Sequence, residues 1–337
     1  MIYLYSILSF VIILLFLKSL SLKLNLIDKP NYRKKHFGNI PLIGGLVIYF
    51  NILVFSFFIQ TSDYMTNILL TSIILILLGA LDDSVELGIV FRLIAQLVCC
   101  LIVAGSGLII SNVGDYMFLS NIQLGILSII FTVFCVIGLT NSFNFIDGVD
   151  GLSSGLALIS IITIFFIAFL NNTIVYLIDF EFLILFSLTL ILFIFFNTTN
   201  ILKIFLGDSG SIFLGFFISW ILIMTSQDEN QIIHPVLTIW CVALPVFDII
   251  SVILRRLLRK INPFKPDRRH IHHILIELGF SNIMTTILIL ILSIVLNCFG
   301  LLIFYLSGPF PTLISFVLLL VLYVIFMINL SRMVNSN

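Results

Sequence analysis

The chain has 337 residues, of which 61% are hydrophobic and only 9% charged, against roughly 25% charged in a soluble domain. That composition excludes a water-soluble globule, a disordered chain, and a protein that grips nucleic acid through a basic surface. The 16 Lys and Arg offset 16 Asp and Glu, giving a formal net charge of zero, so any information lies in where the charges fall.

Apolar runs of about 20 residues recur along the chain and predict membrane-spanning helices. Helices are expected because lipid offers the backbone no hydrogen-bond partners. Eleven spans are expected, at 3–22, 41–60, 67–81, 93–110, 125–140, 153–170, 180–196, 212–226, 235–254, 283–306 and 312–330. Met1 to Leu17 has no basic residue before it and no small-residue cleavage pattern after it, so it reads as a retained span and not a signal peptide. Several spans are short for a straight crossing, which predicts tilt or unwinding near their ends. The expectation is an all-α, polytopic membrane protein forming one domain over 1–337.

The connections divide by charge. Segments 61–66, 111–124, 171–179, 227–234 and 307–311 hold Asp63, Asp115, Asp179, Asp228 and Glu229, with no Lys or Arg. Every basic residue falls in the other set. The positive-inside rule then predicts an N-terminus outside and a C-terminus in the cytosol, which needs an odd number of spans. Cys99, Cys100, Cys135, Cys241 and Cys298 all lie in apolar runs without CxxC spacing, and read as buried thiols. His234, before Pro235 on the outer border, reads as structural.

The polar clusters, in chain order, all lie on the basic side. Asp28 to His36, with Arg33, Lys34 and His36, precedes Pro41-Leu-Ile-Gly44-Gly45. It suits phosphate binding or simple attraction to anionic lipid. Asp82-Asp83 closes a span, followed by Arg92 and Gln96. Adjacent carboxylates repel and are costly at a membrane border, but hard oxygens suit Mg2+ bridging to a phosphate. Asn141, Asn144, Asp147 and Asp150 recur every three residues, which keeps them on neighbouring positions of a helical face. Asn197 and Asn200 precede Phe205-Leu-Gly-Asp208-Ser-Gly-Ser211, where a helix N-terminus favours anions and Asp208 suits a cation. The last cluster runs from Arg255 through Arg268, Arg269, His270, His272 and His273. It suits phosphate recognition or a metal, and the arginine pair fits phosphate better. Asp248, inside the ninth span, needs a partner, for which Arg255 or Arg256 is in reach. No Walker A loop, Rossmann fingerprint or Ser-His-Asp order occurs. Carboxylates, amides and bases on one membrane face favour phosphoryl transfer involving a lipid, which needs positioning and charge neutralisation.

The ordered motifs DKPNYRKKH…IPLIGG, GALDD, NSFNFIDGVDGL, FLGDSGS and NPFKPDRRHIHH resemble those of the polyprenyl-phosphate N-acetylhexosamine-1-phosphate transferases over nearly the whole chain. The Pro266–His273 loop looks like that of members using UDP-N-acetylglucosamine. The resemblance implies transfer of N-acetylglucosamine 1-phosphate from UDP-N-acetylglucosamine to undecaprenyl phosphate, releasing UMP, at the start of O-antigen or related polysaccharide synthesis. Another UDP-N-acetylhexosamine donor remains open. The resemblance also implies Mg2+ or Mn2+, a bacterial inner-membrane location, a cytosolic active site, and a second copy of the chain as an admissible partner. Carried over residue by residue, Asp82 would be the base or a metal-site carboxylate, Asp83 its support, and Asp208 the principal Mg2+ ligand. Asn144, Asp147, Asp150 and Phe205 would take the nucleotide, with Arg268, Arg269, His270, His272 and His273 at the sugar diphosphate. Arg33, Lys34, His36, Arg92, Asn197, Asn200 and Asp248 are assigned to the lipid phosphate or left open. Arg92 replaces the Lys of many relatives, and the Asn197–Asp208 spacing is one residue longer than in several, so Asn197 competes with Asn200 for one role. A secondary transporter is the alternative from another class. It would place polar groups at mid-membrane within inverted repeats, whereas here they crowd one face.

Overall fold

The computed structural model describes residues 1–29, 38–117, 120–174, 179–227, 231–258, 260 and 269–336, with side chains to residue 331. Helices dominate: α1 (Ile2–Ser21), α2 (Gly44–Ser56), α3 (Asp63–Val85), α4 (Ile89–Ala104), α5 (Ser128–Ile146), α6 (Leu152–Leu170) and α7 (Phe180–Thr198). Then come α8 (Gly207–Gln227), α9 (Pro235–Cys241), α10 (Ala243–Leu258), α11 (Ile271–Glu277), α12 (Asn282–Ser307) and α13 (Pro309–Ser336). The small exception is an antiparallel pair, β1 (Ile27–Asp28) with β2 (Ile40–Pro41), in register Ile27–Pro41 and Asp28–Ile40.

Among the described residues, eight helices are long and apolar enough to cross a membrane, or nine if α9 and α10 form one bent span. The chain is thus a multi-pass membrane protein. α2 and α4 are shorter apolar helices. All eleven expected segments fall on helices, with three informative shifts. The segment 235–254 is broken, and α9 meets α10 at 76°. Pro245 explains the break: its ring excludes a continuous helix through the carbonyl four residues back, at Cys241, where α9 stops. α4 ends at Ala104, not 110, because Gly105-Ser106-Gly107 follows, with Gly107 at φ 98°. α8 begins five residues before the expected 212, because another helix caps it.

α8 is the axis. Every residue from Ser209 to Ser226 is buried, as expected for a helix apolar on all sides. It packs chiefly against α3 and α5, and also against α2, α6 and α9. Small residues allow the closest approaches. A Cβ at Gly79 of α3 would lie 2.3 Å from Ser209 Cα, and one at Gly45 of α2 would lie 2.2 Å from Gly210 N. Backbone bonds from Gly44 N–H to Phe205 C=O (2.8 Å) and Gly45 N–H to Leu206 C=O (2.9 Å) satisfy two of the orphan donors of α2. Together these contacts hold the starts of α2 and α8 and the end of α3 in one place. Around this core the outer helices turn apolar faces outward. On α4, Phe91, Ile94, Val98 and Leu101 are exposed while Gln96, Cys99, Cys100 and Val103 are buried, a pattern that suits lipid.

Candidate active site

The end of α3, the start of α4, the end of α5 and the start of α8 meet at one end of the bundle. Glu86 follows α3 at φ 53° and reverses the chain. Asp82 Oδ1 accepts the Leu87 N–H (2.6 Å) and fixes that turn. Its Oδ2 takes Arg92 Nη1 at 2.6 Å, and the same nitrogen lies 3.5 Å from Asp208 Oδ2. Arg92 therefore bridges two carboxylates. Asp83 is turned the other way: Oδ1 accepts the Asp208 N–H (2.9 Å) and Oδ2 the Ser209 N–H (3.3 Å). A carboxylate of α3 thus caps α8, using the donors a helix start leaves unpaired. Asn144, in the last turn of α5, donates to Asp208 Oδ1 and Ser211 Oγ, both at 2.9 Å. Asp147 ends α5 beside them. Crowding by protein, and then the charges of Asp208, Asp83 and Asp150, push its carboxyl well above the usual range.

A second group adjoins the first. Asp150 Oδ2 pairs with Lys203 Nζ at 2.7 Å, and its carbonyl accepts from Thr286 Oγ1 (2.9 Å). The Lys203 ammonium stands 5.7 Å from the centre of the Phe205 ring. Asn197 is buried, accepting from the Gly151 N–H (2.5 Å) and donating to the Ile204 C=O (2.9 Å). Asn200 lies exposed in the following turn. Of the two amides, Asn197 is the one that ties the Asp147–Gly151 loop to the segment just before Phe205.

The histidine segment forms a third group. His270 Nδ1 lies 2.6 Å from Asp248 Oδ2, so the partner of Asp248 includes a histidine that spacing did not suggest. Arg255 donates to the Arg269 carbonyl (2.9 Å). His272 is fully buried, and among the described residues neither ring nitrogen has a hydrogen-bond partner. Burial, then the neighbouring His273 and His270, hold its pKa well below the usual imidazole range. The ring lies against Gly148, where a Cβ would come 2.0 Å from Nε2, so only glycine admits it beside Asp147. His273 packs on it at 4.1 Å between ring centres. Arg33, Lys34, His36 and Arg268 lie outside the described residues. Among the described residues, no three His, Cys, Asp or Glu side chains gather as a metal site.

Known proteins share this arrangement of sequence. The profile described as Glycosyl transferase family 4 matches residues 65–226, which contain Asp82, Asp83, Asn144, Asp147, Asp150, Asn197 and Asp208. An undecaprenyl-phosphate alpha-N-acetylglucosaminyl 1-phosphate transferase of Escherichia coli O157:H7 is 33% identical over 316 residues, covering 93% of this chain and 86% of its own. Proteins of the same name from Haemophilus influenzae (32%, covering 92% and 89%) and Yersinia pestis (30%, covering 84% and 78%) are similar. The chain belongs to glycosyl transferase family 4. In this family 4 chain, sequence reasoning missed roles for Lys203, Ser211, Thr286 and Tyr323. Tyr323 carried a signal, a polar tip inside a largely apolar span.

Proposed function

We propose that the protein transfers N-acetylglucosamine 1-phosphate from UDP-N-acetylglucosamine to undecaprenyl phosphate, giving undecaprenyl-diphospho-N-acetylglucosamine and UMP. The names of the relatives support both sugar and acceptor. The observation that carries the reading is the meeting of Asp82, Asp83, Asp147 and Asp208 around Arg92 and Asn144. So many like charges are costly unless something cationic balances them.

Mg2+ fits the donor set, since it is held by one or two carboxylates together with substrate phosphates. Asp208 is the ligand we assign, its side chain 39% exposed, with Asp83 beside it. When bound, the ion neutralises the diphosphate and the leaving UMP. Arg92 is the group for the lipid phosphate. On taking that phosphate it would leave Asp82 Oδ2, and Asp82 is then the base for the acceptor's proton. Asp150 and Lys203, with Phe205, take the nucleoside side, and the histidines and arginines of 268–273 take the sugar diphosphate. Asp147 and Asn144 keep these groups in place.

We place the enzyme in a bacterial inner membrane with this end in the cytosol. Counting the bent pair once and both short helices gives eleven crossings, with the N-terminus outside and the C-terminus inside. Arg92, Lys203, Arg255 and Arg256 at the site end and Asp115 and Asp179 at the other support that orientation. A lipid-linked sugar diphosphate is a starting point for further glycosyl transfer, and O-antigen or a related surface polysaccharide is the product class we assign. The test is UMP release by purified protein given undecaprenyl phosphate, Mg2+ and a panel of UDP-sugars. UDP-N-acetylglucosamine should be turned over best and EDTA should stop the reaction. Turnover unchanged in EDTA would remove the metal, and preference for another UDP-N-acetylhexosamine would change the donor.

A further inference from the structure

Asp248 is 1% exposed, well inside α10, and three donors from two other helices converge on it. Its Oδ2 lies 2.6 Å from His270 Nδ1, while Oδ1 accepts the Ile271 N–H (3.0 Å) and the Tyr323 hydroxyl (3.3 Å). A carboxylate only accepts, so the ring nitrogen facing it carries the proton and Nε2 is left for a ligand. The Ile271 bond fixes the backbone as well, because His270 is the residue that precedes α11. The His270 ring stands 5.8 Å from that of Phe145, next in the chain to Asn144, which donates to Asp208. One carboxylate thus sets the ring, the backbone and the proton of a histidine at the edge of the acid cluster. All three residues lie beyond the matched segment 65–226.

We propose that Asp248 is a positioning residue: it holds the His270 ring by Nδ1–H so that Nε2, carrying a second proton, donates to a phosphate oxygen of the sugar nucleotide, and Tyr323 of α13 holds Asp248 in turn. The proposal rests on the transferase reading. The carboxylate behind the ring stabilises the doubly protonated imidazolium that such a bond requires. It also gives the C-terminal helix, otherwise a lipid-facing span, a part in the reaction.

The experiment is a double-mutant cycle read as kcat and KM, with melting temperatures in detergent. In Asp248→Asn, Oδ1 must still accept from Ile271 and Tyr323, so the NH2 faces Nδ1, which must then accept; the ring is left neutral, with its one proton on Nε2 and no carboxylate to support a second. A fall in kcat/KM of about 10- to 100-fold is expected, with the melting temperature little changed. Added to His270→Gln, the same substitution should change turnover by less than about twofold, because it acts through the ring already removed. Tyr323→Phe removes one hydroxyl and should cost about two- to tenfold, which keeps the test open if Asp248→Asn does not fold. Losses that multiply in the double variant, or wild-type activity in Asp248→Asn, would overturn the proposal. The 15N shifts of His270 in the full-length protein report the tautomer without turnover, and a ring protonated at Nε2 alone would overturn it too. A wild-type protein that turns over no UDP-N-acetylhexosamine but shows the Nδ1–H tautomer would sink the transferase reading and the catalytic role, and leave the geometry standing.

Discussion

At the end of the bundle away from the site, Asp179 is buried and accepts two bonds from one neighbour, the Ser62 N–H (2.8 Å) and Oγ (2.7 Å). Gln227 does similar work at the same end, accepting from Ser111 and Asn112 and donating to the Asn112 carbonyl. Asp179 and Gln227 each join two elements and are satisfied locally. At the site end, Asp82, Asp83, Asp147 and Asp208 come from three helices and crowd one another, with Arg92 the cation shared between two of them. A buried acid that caps a turn is a structural device. Partly buried acids gathered against their own repulsion mark a place where a ligand completes the charge balance.

The difference is sharpest at Asp208. Asp208→Ala removes the carboxylate that Arg92 and Asn144 both face. The loss in kcat should be about 100- to 1,000-fold, the scale of removing one preorganised electrostatic group. UMP release measures it, with the melting temperature as a control. Because the side chain sits at the edge of the cluster, relieving its repulsion should leave the fold as stable as before. Near-normal turnover would dissolve the distinction between the two ends.

Much of this was legible in residue order, and what was missed has a physical cause. Apolar run length placed all eleven helical segments, since lipid leaves the backbone no other solution. The start of α8 was misplaced because its capping carboxylate, Asp83, is 125 residues away in the chain. The motifs named Asp82, Asp83, Asn144, Asp147 and Asp208 as one site, and they do meet. Spacing could not reveal that Asp150 pairs with Lys203, or that Asp248 pairs with His270. Both pairs join segments far apart in the chain, whose approach is set by helix packing. Asn197 and Asn200 looked equivalent in sequence, and only burial separates them.

Asp179→Ala probes the quieter end. It leaves the Ser62 N–H and hydroxyl without their acceptor, which costs about 1–3 kcal/mol and should lower the melting temperature. Residual kcat/KM at a temperature where the variant is folded should stay within about twofold of wild type. Loss of turnover without loss of stability would show that the far end takes part in the reaction, and the contrast would fail.

The smallest effect concerns Asp147 and the pH dependence of stability. An unfolded Asp titrates near pH 4, at about 3.9, whereas burial and three neighbouring acids hold the folded group well above that. The folded state therefore binds this proton more tightly than the unfolded state does. Its contribution is fully present below about pH 4 and is lost as pH rises toward the folded value. Asp147→Asn carries no such proton. With no divalent cation added, the wild-type melting temperature should fall relative to that of Asp147→Asn as pH is raised from 5 to 8. A constant difference between the two curves would mean that Asp147 does not feel Asp208, Asp83 and Asp150, and that the site end is less crowded with charge than its geometry implies.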